Sequence, residues 1–362
     1  MKAYKGFDKN LKCREFQYKN GETYETETAK LCANGFHACE NPLDTFNYYP
    51  PTDSRYCEVD IDDNGERGDD SKVCGTKIKI GAEIGVRGII NAEIKFVMER
   101  CKDAAEEHAS GFRGNAAASG NKGNAAASGD GGNAAASGFC GNAAASGNRG
   151  NAAASGNWGN AAVSGNRGNA AASGNGGNAA VSGDGGNAAA SGNKGNAAAS
   201  GNKGNAAASG YGGNAAASGD KGNAAASGFY GNAAASGFCG NAAASGNGGN
   251  AAASGYGGNA AASGNKGNAA ASGFCGNAAV SGYRGTAATT GTNGKASADG
   301  KQCVAVAWGA NSCARGKVGT WIVVSERNSA GEIINAGLAK VDGKNIKENT
   351  WYTMRNGKIV EK

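Results

Sequence analysis

The stretch SGNKGNAAASGNKGNAAAS, residues 191 to 209, consists of nine residues followed by the same nine again. Asparagine recurs at every ninth position from Asn115 to Asn277, always within Gly-Asn-Ala-Ala-(Ala or Val)-Ser-Gly. These nineteen copies contain no insertion, and a twentieth follows as Gly285-Thr-Ala-Ala-Thr-Thr-Gly. Such strict spacing indicates a geometric period rather than a flexible linker, because linkers vary in length and order.

Each nonapeptide divides into a five-residue strand, Asn-Ala-Ala-Ala-Ser, and a four-residue turn, Gly-x-x-Gly, whose glycines can adopt positive φ. A helix is disfavoured because each glycine in a helix interior costs about 1 kcal/mol. Two nonapeptides make one coil, and stacked coils form a flattened parallel β-solenoid in which each strand pairs with the strand 18 residues away. The predicted fold class is therefore mainly β, a parallel β-solenoid with two nine-residue repeats per coil and a thin Ala-rich core.

The repeat also indicates what its side chains do. We expect asparagines to hydrogen-bond along the stack in a repeat ladder. Members of that ladder include Asn115, Asn124, Asn133, Asn196, Asn205 and Asn277. The alternation alone does not decide which alanines face inward. Larger residues replace the third alanine at Val163, Val181, Val280 and Thr289, which favours an exposed third position.

The two ends of the chain differ in composition from the repeats and carry most of the aromatic and charged residues. Alternating apolar residues predict strands over 56–61 and 76–80, and 92–107 is typical of a helix. Turn residues at Asn328, Asp342 and Asn356 predict antiparallel strands at the other end. We expect the first end to shield the first coil. The predicted domains are an α+β N-terminal cap domain at 1–108, the nonapeptide-repeat solenoid at 109–318 and a small antiparallel β cap at 319–362.

Sequence freedom in the repeats is confined to the two residues between the turn glycines. Residues 18 apart lie above one another, so these tips form two edges of the solenoid. Nine basic residues against three aspartates between positions 110 and 290 account for the whole net charge of +6. The edges could bind an acidic partner, a glycan or single-stranded nucleic acid; alternatively they are solvated turns whose aromatic ladders lock adjacent coils. The candidate binding residues are Trp158, Lys194, Lys203, Lys221, Tyr230, Phe238, Tyr256 and Phe274.

Motifs of enzymes and cofactor sites are absent from the sequence. It contains no P-loop, HExxH motif or Ser/His/Asp arrangement, so we predict no catalytic residue and no cofactor. The pattern nearest to a zinc site combines His37 with cysteines: Cys32, Cys39 and one of Cys13, Cys57 or Cys74. It lacks a CxxC knuckle, and free thiols are the preferred interpretation, so no metal is predicted. Eleven scattered cysteines and no secretory or membrane-spanning run predict a soluble protein of a reducing compartment.

Several stretches resemble an uncharacterised family of bacteriophage and prophage proteins. In that family a similar N-terminal domain precedes long Ala/Gly/Ser-rich repeats. The stretches are Lys2-Ala-Tyr-Lys-Gly-Phe, Cys13-Arg-Glu-Phe-Gln-Tyr, Leu31-Cys-Ala-Asn-Gly-Phe-His-Ala-Cys, Asn41-Pro-Leu-Asp-Thr-Phe, Gly319-Thr-Trp and Asn349-Thr-Trp-Tyr. More remotely, Tyr4-Lys-Gly with Gly35-Phe-His-Ala resembles two strands of ADP-ribosyltransferase-like domains, with Lys5 at the position of that family's NAD-anchoring arginine.

We therefore expect a non-enzymatic, phage-type rigid binding or scaffold protein, virion-associated or in the host cytoplasm during infection. Its expected partner is a host protein or glycan, self-association is open, and no membrane insertion is expected. One alternative is an ADP-ribosyltransferase-like enzyme in the N-terminal domain, with the solenoid as an assembly arm. Further alternatives are nucleic-acid binding by the basic turn edges and ice binding by a flat face.

Overall fold

The computed structural model describes residues 1–64, 66, 71–103, 107–110, 112–120 and 122–362, and it describes side chains except at 98–103 and 107–110. It is mainly β, as predicted, and it divides into two compact units, Met1–Ser200 and Gly201–Lys362. Parallel β-solenoid coils occur in both units. This division into two units does not test the predicted boundaries of the three domains, which remain predictions.

The N-terminal domain is built around a small antiparallel sheet. Strand Lys72–Glu83 pairs both with Phe36–Cys39 and with Ser54–Asp63, while Lys2–Asp8 joins the last two, so four strands close into a ring. The ring encloses apolar side chains such as Phe7 and Ile78. The other elements are strands Lys12–Cys13, Phe16–Gln17, Thr23–Glu25 and Glu107–Ser110, a 3-10 helix Pro42–Asn47 and an α-helix Gly85–Asp103.

The predicted strands at 56–61 and 76–80 are confirmed as the centres of longer strands. The helix predicted over 92–107 spans Gly85–Asp103, so it begins earlier than predicted, and Glu107 belongs to a strand and not to the helix. Two isoleucines in its first turns, Ile89 and Ile90, are fully buried, so packing rather than local composition sets the start. Residues 104–106 lie outside the described part of the chain.

In unit Met1–Ser200 the repeats form two parallel sheets with every residue in register with the residue 18 positions away. We name them the covered sheet and the open sheet. The covered sheet consists of Glu107–Ser110, Asn124–Ser128, Asn142–Ser146, Asn160–Ser164, Asn178–Ser182 and Asn196–Ser200. The open sheet consists of Asn115–Ser119, Asn133–Ser137, Asn151–Ser155, Asn169–Ser173 and Asn187–Ser191.

The first and third alanines of each strand face inward. Strand Asn151–Ser155 shows this, with Ala152 and Ala154 each 2% exposed and its asparagine, middle alanine and serine open to solvent. The expectation of an exposed third position is therefore wrong, because Val163 and Val181 are fully buried. They fit because the branched side chain occupies the room beside a turn glycine: a Cβ at Gly168 would lie 2.3 Å from Val163 Cγ1.

The N-terminal domain packs along the outer face of the covered sheet rather than across the first coil, contrary to the expectation of a shield at that end. Apolar residues of the two helices contact the middle alanine of five successive strands. These alanines are Ala126, Ala144, Ala162, Ala180 and Ala198. The strand that pairs with the first repeat strand of this sheet is Glu107–Ser110.

The two glycines of each turn have different reasons for being glycine. From Gly120 to Gly273 the first adopts positive φ, and at Gly165 (133°) a Cβ would lie 2.2 Å from the carbonyl oxygen of Gly147 in the preceding coil. The second closes the turn by an N–H bond to the first, as from Gly150 to Gly147 over 3.3 Å. Its missing Cβ leaves space for the third alanine, since a Cβ at Gly150 would lie 3.1 Å from that of Ala145.

Unit Gly201–Lys362 has the same strand pattern and then departs from it in sequence; the 18-residue register is kept up to Cys313–Gly316, and the last parallel pair, Val304 with Trp321, is 17 residues apart. One sheet contains Asn214–Ser218, Asn232–Ser236, Asn250–Ser254, Asn268–Ser272, Thr286–Thr289, Val304–Ala307 and Trp321–Arg327. The other contains Asn205–Ser209, Asn223–Ser227, Asn241–Ser245, Asn259–Ser263, Asn277–Val280, Lys295–Ala298 and Cys313–Gly316.

Each of these sheets ends in an antiparallel strand, which confirms the predicted C-terminal β region. Strand Ile333–Lys340 pairs with Trp321–Arg327, and the hairpin Tyr352–Arg355 and Lys358–Glu361 follows Cys313–Gly316. Its turn at Asn356 and Gly357 has φ of 50° and 72°, as an Asn-Gly hairpin requires.

Candidate functional site

The turn tips are held by backbone hydrogen bonds from one coil to the next. The second tip residue donates its N–H to the carbonyl of the first tip residue in the next coil, 17 positions on, as from Lys221 to Phe238 over 2.8 Å. At this second position φ lies near 60°, for example 62° at Lys194 and 63° at Trp158. An L-residue pays about 1–2 kcal/mol for that conformation, and the hydrogen bonds between coils hold it in place. Tyr230 is an exception, with φ of 131° and its N–H donated to Gly228 of its own turn over 3.3 Å.

The candidate binding residues fall into two groups in unit Gly201–Lys362 and one in the other unit. Lys203, Lys221, Phe238, Tyr256 and Phe274 occupy successive tips of one edge, linked by the bonds just described. Tyr230 belongs to the opposite edge, beside Tyr211 and Phe229. Trp158 and Lys194 lie on one edge of the Met1–Ser200 unit; the lysine is exposed and the indole half-buried.

Three of these residues form what we name the aromatic row: Phe238, Tyr256 and Phe274. Neighbouring rings stack face to face, with centroids 4.9 Å and 5.0 Å apart and interplanar angles of 0° and 18°. The side chains nevertheless remain 52%, 48% and 40% exposed. The inner ring faces are covered by neighbouring rings, so the row presents ring edges to solvent as an apolar ridge.

The asparagine ladder lies on the outer faces of the sheets. Side-chain amides donate to the asparagine one coil earlier, from Asn133 to Asn115 over 2.8 Å and from Asn277 to Asn259 over 2.8 Å. Asn205 receives the same bond from Asn223 over 2.9 Å. On the covered sheet Asn124 and Asn196 are part of the ladder too, but there the N-terminal domain buries them.

The buried asparagines also bind the N-terminal domain. Asn160 donates to a carboxylate oxygen of Asp44 over 3.0 Å, and Asn196 donates to the carbonyl of Phe46 over 3.2 Å. Asn178 donates to the carbonyl of Leu43 over 3.2 Å. On this sheet the ladder residues are therefore docking contacts, a role that sequence reasoning did not identify.

A cleft of about 860 Å³ opens in the N-terminal domain. Lys5, from strand Lys2–Asp8, and His37, from strand Phe36–Cys39, both line it. One apolar side is formed by Phe16, Tyr18 and Phe36, whose rings contact one another with centroids 4.8 Å to 6.3 Å apart. The sequence analysis named Lys5 only through the resemblance to ADP-ribosyltransferase-like domains and not as a candidate site residue, although the alternation Ala3, Lys5, Phe7 places its side chain on the inward phase of the strand.

The cysteine and histidine pattern near the cleft is not assembled as a metal centre. His37 accepts a hydrogen bond at Nε2 from the backbone N–H of Cys32 over 3.1 Å. Burial lowers the pKa of His37, and the charge of Lys72 acts in the same direction, so the ring is mainly neutral at pH 7. Among the described residues, no group of three histidine, cysteine or acidic side chains is placed to hold a metal ion. The ten described cysteines are free thiols.

Comparison with known proteins gives context for the first domain alone. Residues 1–92 match the family model described as a domain of unknown function, DUF7666. No curated protein and no solved structure matches the chain. Within the described parts of the chain, no helix has the length and apolar character that crossing a membrane requires.

Proposed function

We propose that the protein is a non-enzymatic binding scaffold of phage type that contacts a host protein through the aromatic row. The observation that carries this proposal is the exposure of three stacked rings on tips whose backbone is fixed by hydrogen bonds. A rigid, pre-formed apolar ridge loses little conformational entropy when it enters a groove on a partner. The resemblance to phage proteins supports a setting in infected host cells or in the virion.

The stacking geometry favours a protein partner over a glycan or a nucleic acid. Sugars and bases bind aromatic side chains through open ring faces. In the aromatic row both faces of Tyr256 are covered, and Phe238 and Phe274 each have one face against it. Ring edges, ring tips and the outer faces of the two end rings remain, and the continuous run of edges suits an apolar groove in a folded partner.

A crosslinking pull-down from infected host cells tests this proposal. The full chain is compared with a variant that carries Phe238→Ser, Tyr256→Ser and Phe274→Ser. The matched control carries Asn247→Ser and Asn265→Ser on the opposite edge. We expect one host protein to be recovered with the wild type and the control and lost with the triple variant. Equal recovery with all three chains would exclude the aromatic row as the contact, and recovery of a glycan instead would reassign the partner.

The basic tips carry a separate proposal, nucleic-acid binding. Lys203 and Lys221 lie on successive tips of one edge, and both are exposed. Affinity for single-stranded DNA should then fall steeply with salt, by about 0.7 of a log unit per log unit of salt for each phosphate neutralised. Charge reversal at Lys194, Lys203 and Lys221 should weaken it. Salt-independent or absent binding would remove this candidate.

The cleft supports one enzymatic candidate, an ADP-ribosyltransferase-like activity. Lys5 and His37 come from the two strands that carry that resemblance, and both line the cleft. Incubation of the full chain with labelled NAD and acceptor proteins tests it. Transfer of label would support the enzyme, whereas neither NAD binding nor transfer would leave the scaffold.

A further inference from the structure

Lys5 is a buried amine at the wall of an open cleft. Only 5% of the residue is exposed, and its inward neighbours along the strand are Ala3 and Phe7. The rings of Phe7 and Tyr18 each lie with their centroids 5.5 Å from Nζ. A lysine is rarely buried in this way, since a cation loses its hydration on burial.

The polar contacts of the amine do not compensate an ammonium charge fully. Nζ donates to the carbonyl of His37 over 2.7 Å and to Sγ of Cys13 over 3.6 Å. Among the residues that the structure describes, no carboxylate pairs with it. Burial is the largest effect on Lys5 and lowers its pKa; Cys13 and, more weakly, Cys39 oppose it, and the nearby charge of Lys72 adds a small effect in the direction of burial. Desolvation together with a neighbouring cation is the arrangement that makes a lysine amine nucleophilic.

A purely structural role for Lys5 would not explain why its amine lies at the wall of an open cleft. Donation to one backbone carbonyl and packing against the two rings need only a neutral amine, and the attraction of those rings for a cation at 5.5 Å offsets only part of the cost of burying the charge. An amine satisfies both when it is unprotonated, and the cleft gives it access to a ligand. The unprotonated amine is also the form that reacts with carbonyl compounds.

We propose that the cleft binds a small aldehyde or ketone with an apolar body, and that Lys5 Nζ forms an imine with it. The nitrogen attacks the carbonyl carbon to give a carbinolamine, with the carbonyl oxygen taking up one proton of the amine. The carbon–oxygen bond then breaks and the second amine proton leaves with the oxygen as water, which yields the C=N bond. No oxidant, reductant or nucleotide takes part, so the proposal is independent of NAD chemistry. Phe16, Tyr18 and Phe36 would contact the body of the ligand.

Reductive trapping with benzaldehyde and cyanoborohydride at pH 7 tests the proposal on the full chain. Peptide mapping by mass spectrometry compares Lys5 with Lys2, an exposed lysine of the same strand, and separates both from the α-amino group. We expect the benzyl adduct to form on Lys5 at least about ten-fold faster than on Lys2, because burial disfavours the charged form of Lys5 whereas Lys2 is exposed to solvent.

The variant Lys5→Met keeps a similar volume without the amine and should lose this adduct while retaining the wild-type circular dichroism spectrum. If that variant does not fold, the ratio of Lys5 to Lys2 labelling in the wild type decides alone. Labelling of Lys5 no faster than of Lys2, or no adduct on Lys5, would overturn the proposal.

Discussion

Glycine occurs at some turn tips because an aromatic side chain of the preceding coil occupies the space that a Cβ would need. A Cβ at Gly176 would lie 2.6 Å from Cε3 of Trp158, and one at Gly248 would lie 2.7 Å from Cδ1 of Tyr230. In each pair the aromatic residue stands 18 positions earlier, at the same position of the tip. The residues at the turn tips vary without an evident pattern along the sequence, yet at these positions they are correlated between successive coils.

Gly176→Ala tests this correlation, with Gly185→Ala as its control. Both glycines have similar φ, 74° and 71°, but the nearest atom to a Cβ at Gly185 is Arg167 Cγ at 3.5 Å, an ordinary contact. Gly185→Ala should cost about 1 kcal/mol for the backbone conformation alone, and Gly176→Ala about 1–2 kcal/mol more. Denaturant unfolding measures both. Adding Trp158→Ala should remove the excess, and equal costs without it would argue against a ring clash.

Lys5 makes stability depend on pH in a direction that its lowered pKa fixes. Between the folded pKa and the ordinary value near 10.4, the unfolded chain binds more protons at this position than the folded chain. Its contribution therefore becomes more favourable as pH rises through that window. Lys5→Met should flatten the rise in unfolding free energy between pH 7 and 10, whereas Lys79→Met, at an exposed lysine, should leave it unchanged. If the unfolding free energy of Lys5→Met changed with pH in parallel with that of the wild type, the lowered pKa of Lys5 would be contradicted.

At the scale of the strand, identical sequences have different environments. Asn160 and Asn151 occupy the same place in Asn-Ala-Ala, yet Asn160 is 1% exposed and donates to Asp44, while Asn151 is exposed and donates only along the ladder. Asn151→Ala should cost about 0.5–1.5 kcal/mol, and Asn160→Ala about 1–3 kcal/mol more, because a buried carboxylate loses a donor. Thermal unfolding of the two variants gives the comparison. A smaller cost at Asn160 would mean that the docking bond contributes little.

The alternation within one strand gives a second matched pair. Ala154 faces the interior and Ala153 faces solvent. Ala154→Asp buries a carboxylate and should destabilise the protein by roughly 3 kcal/mol or more, whereas Ala153→Asp should cost within about 1 kcal/mol. Denaturation midpoints separate the two outcomes. Tolerance of aspartate at both positions would overturn the inward orientation of the third alanine.

The period of nine was sufficient to predict the solenoid, because only a stacked coil makes identical positions equivalent without insertions. The prediction that the third alanine is exposed was wrong. Valine is tolerated at position 163 because a turn glycine leaves space beside it, and not because the position faces solvent. Docking of the N-terminal domain on one sheet could not be predicted, because the strands of the covered and open sheets share one sequence. Lys5 could have been found from its place between Ala3 and Phe7.

At the scale of the whole molecule, deletion of one nonapeptide should preserve the coils and move everything after it to the opposite edge. Deleting Asn247–Gly255 would place Cys239 and Cys275 on different edges. In the native chain they occupy one edge, two coils or about 9.6 Å apart at the usual strand spacing. A bis-maleimide of about that span should join the two thiols in the wild type but not in the deletion.

Deleting Asn202–Gly210 removes the same length but leaves both cysteines after the deletion, so crosslinking should persist. The circular dichroism of both deletions should remain that of a β-protein. Crosslinking that survives deletion of Asn247–Gly255, or loss of folding in both chains, would contradict the two-repeat coil.

The contact between the N-terminal domain and the five alanines from Ala126 to Ala198 sets a footprint of fixed size. The middle alanine of each of these five strands packs against the N-terminal domain. The number of strands in this contact is therefore fixed by the size of the domain. The repeat sequence by itself sets no number of copies, because each repeat strand pairs with a strand of the same sequence. Relatives with this architecture should therefore gain or lose copies after residue 200, and keep a constant number before it.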